Sequence, residues 1–150
     1  MYKKVLVPLD GSALAECALP HVKGLAKEGS IGKIILLHVV VYNLPFCPPE
    51  CVISLNYAYS TCRDNILEAA NKYLTNVQSQ LVSEGITAEA IIVESTSPVE
   101  CITDYSHQNN VALIIIATHG YTGIKKMMFG SVALGVLHHS HTPVLLIRPE

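Results

Sequence analysis

Val111-Ala-Leu-Ile-Ile-Ile-Ala-Thr-His-Gly120 reads as a strand ending in a loop, because a continuous aliphatic run without polar alternation is followed at once by residues that turn the chain. A strand with no polar face is buried on both sides, which is the situation of a parallel sheet covered by helices. Nine residues further on, Gly130-Ser131 opens a helix through Val132, Leu134 and Leu137 to His139, and Thr142 to Arg148 closes the chain as another strand. Parallel neighbours need a crossover of this kind.

The same alternation extends back to the start. Lys3-Lys-Val-Leu-Val-Pro8 is a short apolar strand ended by Asp10-Gly11-Ser12, which both turns the chain and caps a helix. From Ala13 to about Lys27, Leu14, Ala18, His21, Val22 and Leu25 recur at helical spacing, and Gly29 marks the exit. Lys33 to Val41 is a second buried strand. Tyr42 to Tyr59 holds Pro45, Pro48 and Pro49 and reads as an irregular crossover segment. From about Thr61, the spacing of Ile66, Ala70, Tyr73, Val77 and Leu81 predicts a long amphipathic helix ending near Gly85. Ala88 to Glu94 is a third strand, and Ser97-Pro98 opens a helix that runs to Asn109-Asn110.

The fold class expected is therefore α/β: a single domain over residues 1–150, an open five-stranded parallel sheet with right-handed crossovers and helices on both faces. Strands one and four flank the point where the winding reverses, and ligands of such sheets bind there, beyond the strand carboxyl ends.

Composition agrees. The chain has 150 residues, 50% hydrophobic and 15% charged, with a formal net charge of -2 and a mean hydropathy of +0.38. Ten Lys and Arg against twelve Asp and Glu leave no basic field for a nucleic acid. The longest apolar stretch, Ile34 to Tyr42, is broken by His38 and falls short of the roughly 18 residues a membrane span needs. The basic pair at the amino terminus runs into Pro8 and Asp10 before a signal-peptide core can form, so a cytoplasmic location is expected. Five cysteines are an odd number, which argues against a disulfide framework, and Cys47, Cys51 and Cys62 lack zinc-site spacing.

The chemistry concentrates in two loops, Pro8 to Ser12 after the first strand and Ala117 to Gly123 after the fourth. Gly120, Gly123 and Gly130 let a backbone approach an anion, and a helix opening at Gly130-Ser131 offers free N–H groups to a phosphate. Ser131 is read as an N-cap that can also give its hydroxyl to the phosphate. On glycine count alone, the reading that Gly120, Gly123 and Gly130 merely turn a loop and Ser131 merely caps a helix is the favoured one. Neither the P-loop nor the dinucleotide pattern is present.

Ala117-Thr-His-Gly120, nine residues, then Gly130-Ser-Val132 resembles the nucleotide loop of the universal stress protein family, usually written G-x2-G-x9-G-[ST]. Lys3 to Ser12, Leu36-Leu-His-Val39 and Pro143 to Ile147 reinforce the likeness, which spans essentially the whole chain. The resemblance implies strand order 3-2-1-4-5, a Rossmann-like, adenine nucleotide alpha hydrolase-like sheet. It also implies ATP or AMP in the crevice, with Pro8 and Asp10 bordering the adenosine, Val39 against adenine, and Ile116 and Ala117 on the ribose side. Gly120, Gly130, Ser131 and Val132 would hold the phosphates, with Mg2+ or Mn2+ bound through phosphate oxygens. Ala117 departs from the motif's first glycine, and its methyl is harmless only if the backbone angle there is ordinary. Pairing of an edge strand, Val144 to Ile147, with a second copy makes a homodimer the implied assembly.

The expected function is an adenine-nucleotide-binding stress-response sensor or regulator with no catalytic residue and no protein metal site. One competing class is a slow ATPase or nucleotidyl-transfer enzyme using Asp10 or His119; another is a nucleotide-free dimeric interaction module. His119 is read as shaping the loop or touching phosphate, and His138, His139 and His141 as compensating the carboxyl end of a helix.

Overall fold

The structure, a computed structural model, describes residues 1–41, 52–118 and 130–149. Its elements are β1 (Tyr2–Pro8), α1 (Ala13–Glu16), α2 (Ala18–Lys27), β2 (Ile31–Val40), α3 (Val52–Ser83), β3 (Ala88–Glu94), α4 (Pro98–Gln108), β4 (Leu113–Ala117), α5 (Ser131–His139) and β5 (Val144–Ile147). All strand pairs are parallel, in the order β3-β2-β1-β4-β5. The expected sheet and its order are thus observed.

Alternation along the strands divides the core in two. Val5, Val7, Ile34, Leu36, Leu113 and Ile115 face α2 and α3, where Val22, Leu74, Val77 and Leu81 bury against them. Leu6, Ile35, Leu37, Ile114 and Ile116 face α4 and α5 and meet Ile102, Ala133 and Val136. Each such side chain removed from water contributes about 1.5–3 kcal/mol, so both faces must be covered for the sheet to persist.

Three local readings differ. The helix expected from Ala13 to Lys27 is interrupted at Cys17, whose N–H bonds Leu14 O at 3.3 Å. Pro20 supplies the reason: without an N–H it cannot bond Glu16 O, so it sits in the first turn of α2, where no such bond is needed. The third helix begins at Val52, well before Thr61, because no proline or glycine stands between Pro49 and Gly85 to stop it. Ser131 is the first helical residue of α5 while Gly130 takes the cap position, with Leu134 N–H bonded to Gly130 O at 2.9 Å. Among the described residues no side chain caps that end. Ser97 and Pro98 do behave as expected, Ser97 accepting from the Glu100 amide.

The long helix is tied to its neighbouring strand at two levels. Gln78 donates to Ala88 O at 2.9 Å at the strand's amino end, and Arg63 forks onto the Glu94 carboxylate at 2.8 and 2.5 Å at its carboxyl end.

Candidate functional site

β1 and β4 part at their carboxyl ends. Their register pairs Val5 with Leu113 and Leu6 with Ile114, while the strands run on to Pro8 and Ala117. Amide groups along β1 point alternately to its two neighbours: Lys4 O accepts from Ala112 N on the β4 side, and Leu9 N donates to Leu37 O on the β2 side. Pro8 falls on the β4 side and has no N–H to give. The ladder stops there, and a crevice opens.

That crevice is a cavity of about 230 Å³ lined by Pro8, Asp10, Val39, Ile116, Ala117 and Val132, together with Leu37, Val41, Pro98, Ile102 and Ala133. Six of the nine residues expected at the site therefore line one space. Gly130 and Ser131 stand beside it at the head of α5, the first buried and the second exposed, without lining it themselves. Gly120 lies outside the described residues, as do His119, Gly123, Cys47 and Cys51.

The wall formed by Pro98 and Ile102 was not anticipated from the sequence. The signal was present, since Ser97-Pro98 begins a helix directly after β3, and every strand-to-helix turn of a parallel sheet emerges on the same edge.

Among the described residues, the cavity lining is apolar but for one carboxylate. Burial raises the Asp10 pKa, but hydrogen bonds from the Ser12 hydroxyl and amide outweigh it and hold the carboxyl below its ordinary 3.8. The Ser12 N–H reaches Asp10 Oδ1 at 2.9 Å. Gly11 makes this turn possible at φ +85°. The same Ser12 caps α1, its hydroxyl accepting from Ala15 N at 3.1 Å.

Ala117 is settled by its backbone. It ends β4, and among the described residues Asn110 is the sole non-glycine with positive φ. The methyl therefore sits on ordinary extended chain. At the other end of α5, His139 Nδ1 bonds Gly135 O one turn back at 2.8 Å. Among the described residues no three His, Cys, Asp or Glu side chains group as a metal site, and no helix is long and apolar enough to cross a membrane.

An open parallel sheet of order 3-2-1-4-5, split at its switch point and covered by helices on both faces, defines a Rossmann-like domain. The universal stress protein family pattern matches residues 1–148, and the chain belongs to that family. Universal stress protein MJ0577 of Methanocaldococcus jannaschii is 31% identical over 157 aligned positions, covering 99% of this chain and 96% of its own. The solved structure of MJ0577 superposes with a TM-score of 0.81 at 32% identity, over 100% of this chain and 98% of that one. Two more distant structures share the fold. A family protein of Arabidopsis thaliana with AMP bound has a TM-score of 0.65 at 18% identity, over 99% of this chain and 92% of that one. A universal stress protein in complex with cAMP has a TM-score of 0.65 at 20% identity, over 98% and 97%.

Proposed function

We propose that this protein binds an adenine nucleotide, ATP or AMP, in the crevice between β1 and β4 and acts as a stress-response sensor or regulator in the cytoplasm. The observation that carries this reading is the lining of one cavity: an apolar slot from Pro8, Val39 and Ile116 beside a single ionised carboxylate, Asp10. A flat purine suits the slot, and ribose hydroxyls suit a carboxylate that accepts. Phosphates would reach the head of α5, where Gly130 and Ser131 present amides that no side chain caps. The adenine nucleotides held by two distant family members support the same assignment.

A divalent ion accompanying a triphosphate would be held through phosphate oxygens, since among the described residues Asp10 is the single carboxylate lining the cavity. A homodimer would form through β5, a sheet edge of four residues with Leu145 exposed.

Calorimetric titration of nucleotide-free protein with ATP and Mg2+ tests the assignment. Binding is expected, and Gly130→Ala should weaken it about tenfold, or ~1.4 kcal/mol, because a methyl group intrudes where phosphate meets backbone. Absence of binding in protein that carries no nucleotide through purification would remove the reading in favour of an interaction module.

A further inference from the structure

Ser12 does not line the cavity, yet it holds two residues that do, Asp10 and Ala15. Its amide donates to Asp10 Oδ1 at 2.9 Å, and its hydroxyl accepts from the Ala15 amide at 3.1 Å. Its carbonyl takes the Glu16 amide at 3.2 Å. Three polar groups of one residue thus close the turn that leads from β1 into α1.

That much bonding is needed because α1 has four residues. Starting a helical turn fixes several dihedral angles for each hydrogen bond gained, so a helix this short does not hold itself. Ser12 sits at φ −83° and ψ 149°, off the helix, where a capping side chain reaches the amide three residues on. Without that cap the first turn frays, and Ala15 and the Ser12 amide lose their fixed relation to Asp10. Gly11, at φ +85°, bends the chain so that the Ser12 amide looks back at the Asp10 carboxylate.

An ionised carboxylate accepts hydrogen bonds and gives none. Left untethered in a cavity wall, it turns among rotamers, and each ligand has to order it anew. Tethered through one oxygen, Asp10 presents its acceptors to the cavity in a fixed place. Phosphate groups repel such a carboxylate, whereas a sugar hydroxyl is a donor that meets it.

We infer that Ser12 is a positioning residue for the sugar end of the crevice, fixing the Asp10 carboxylate so that the site takes a ribose in preference to a deoxyribose. This rests on the reading of the crevice as an adenine-nucleotide site. A ligand short of one hydroxyl covers the carboxylate without supplying its donor, and a site built around a hydrogen bond discriminates strongly against the analogue that cannot make it.

ATP, its 2′-deoxy analogue and its 3′-deoxy analogue, each with Mg2+, are the probes, titrated calorimetrically into nucleotide-free protein. At least one deoxy analogue should bind the wild-type protein about tenfold more weakly than ATP. In Ser12→Ala that ratio should fall below about threefold, and Ser12→Thr, which keeps both the hydroxyl and the amide, should restore it. Because the ratio compares two ligands on one protein, a partly unfolded variant loses affinity for both alike and leaves it unchanged. Equal affinities of the wild-type protein for all three, or a wild-type ratio kept in Ser12→Ala, would overturn the role of Ser12 while leaving the crevice assignment standing. Failure of ATP to bind the wild-type protein removes the nucleotide reading itself. Hydrogen exchange on the wild-type protein needs no variant: saturating ATP should slow the Ser12 and Ala15 amides more than the weaker deoxy analogue does, and equal slowing would sink the inference.

Discussion

A Cβ on Gly135 would stand 2.6 Å from Val99 Cγ2 and 3.1 Å from Cγ1, so α5 and α4 meet where only a hydrogen atom fits between them. The contact matters to the site, because the two helices it joins carry Pro98, Ile102, Val132 and Ala133 into the cavity wall. Val99 is β-branched and stiff, so it cannot swing aside cheaply.

Gly135→Ala should therefore cost stability. Overpacking removes about 1–3 kcal/mol, and the better helix propensity of alanine returns about 1 kcal/mol. A net loss near 1 kcal/mol in urea denaturation is expected, with most of it recovered when Val99→Ala is added. Independent, additive effects of the two changes would show that the close approach is not the cause.

Gly32→Ala presents a harder obstacle. The added Cβ would lie 2.7 Å from Lys3 O, a backbone atom held in the β1–β2 ladder. A loss of about 2 kcal/mol is expected on the scale of core overpacking. Gly32 lies near the amino ends of the strands, so ATP affinity measured on folded protein should stay within about twofold of wild type.

Ala117→Gly restores the residue of the family motif and should bring no gain. The position is ordinary extended strand, so glycine adds freedom to the unfolded chain and costs about 0.5–1 kcal/mol. Calorimetry should find unchanged ATP affinity; a marked improvement would mean that the methyl obstructs the ligand.

Acid should weaken the fold partly through Glu84. Hydrogen bonds from Lys23 and Lys27 hold its carboxyl at about 2, against an ordinary 4.5, with Lys23 at 2.5 Å and Lys27 at 2.7 Å. The depressed pKa means that this contribution is present above pH 4.5 and is lost as pH falls toward 2. Glu84→Gln should flatten that part of the stability profile, and salt should shrink the difference because the pair is open to solvent.

Leu145→Lys tests the proposed dimer. Leu145 is exposed on the edge strand, and a lysine there discourages strand pairing. Light scattering should move from the mass of a dimer to that of a monomer; wild-type protein that is already monomeric would discard the assembly.

The sheet was legible because Ile34 to Leu37 and Leu113 to Ile116 carry no polar face and alternate with helical segments, the pattern of a parallel sheet covered on both sides. Strand-end convergence at the switch point pointed only to the loops after β1 and β4; that Pro8, Asp10, Val39, Ile116, Ala117 and Val132 belong together was expected from the family resemblance. Cys17 and Val52 were harder. The first break depends on a hydrogen bond that Pro20 cannot make four residues earlier, and the second helix start lies in a stretch without clear apolar period. The edge-to-face contact of His38 with Tyr73 was invisible for a different reason: it arises only when two segments distant in sequence pack together.

The length of α3 has a mechanical consequence. Arg63 stands level with the carboxyl end of β3 through its fork onto Glu94, yet the helix begins at Val52. Eleven residues at 1.5 Å each make an overhang of about 16 Å past the sheet, on the same end as the crevice. About three turns of helix therefore project beyond the sheet at the crevice end.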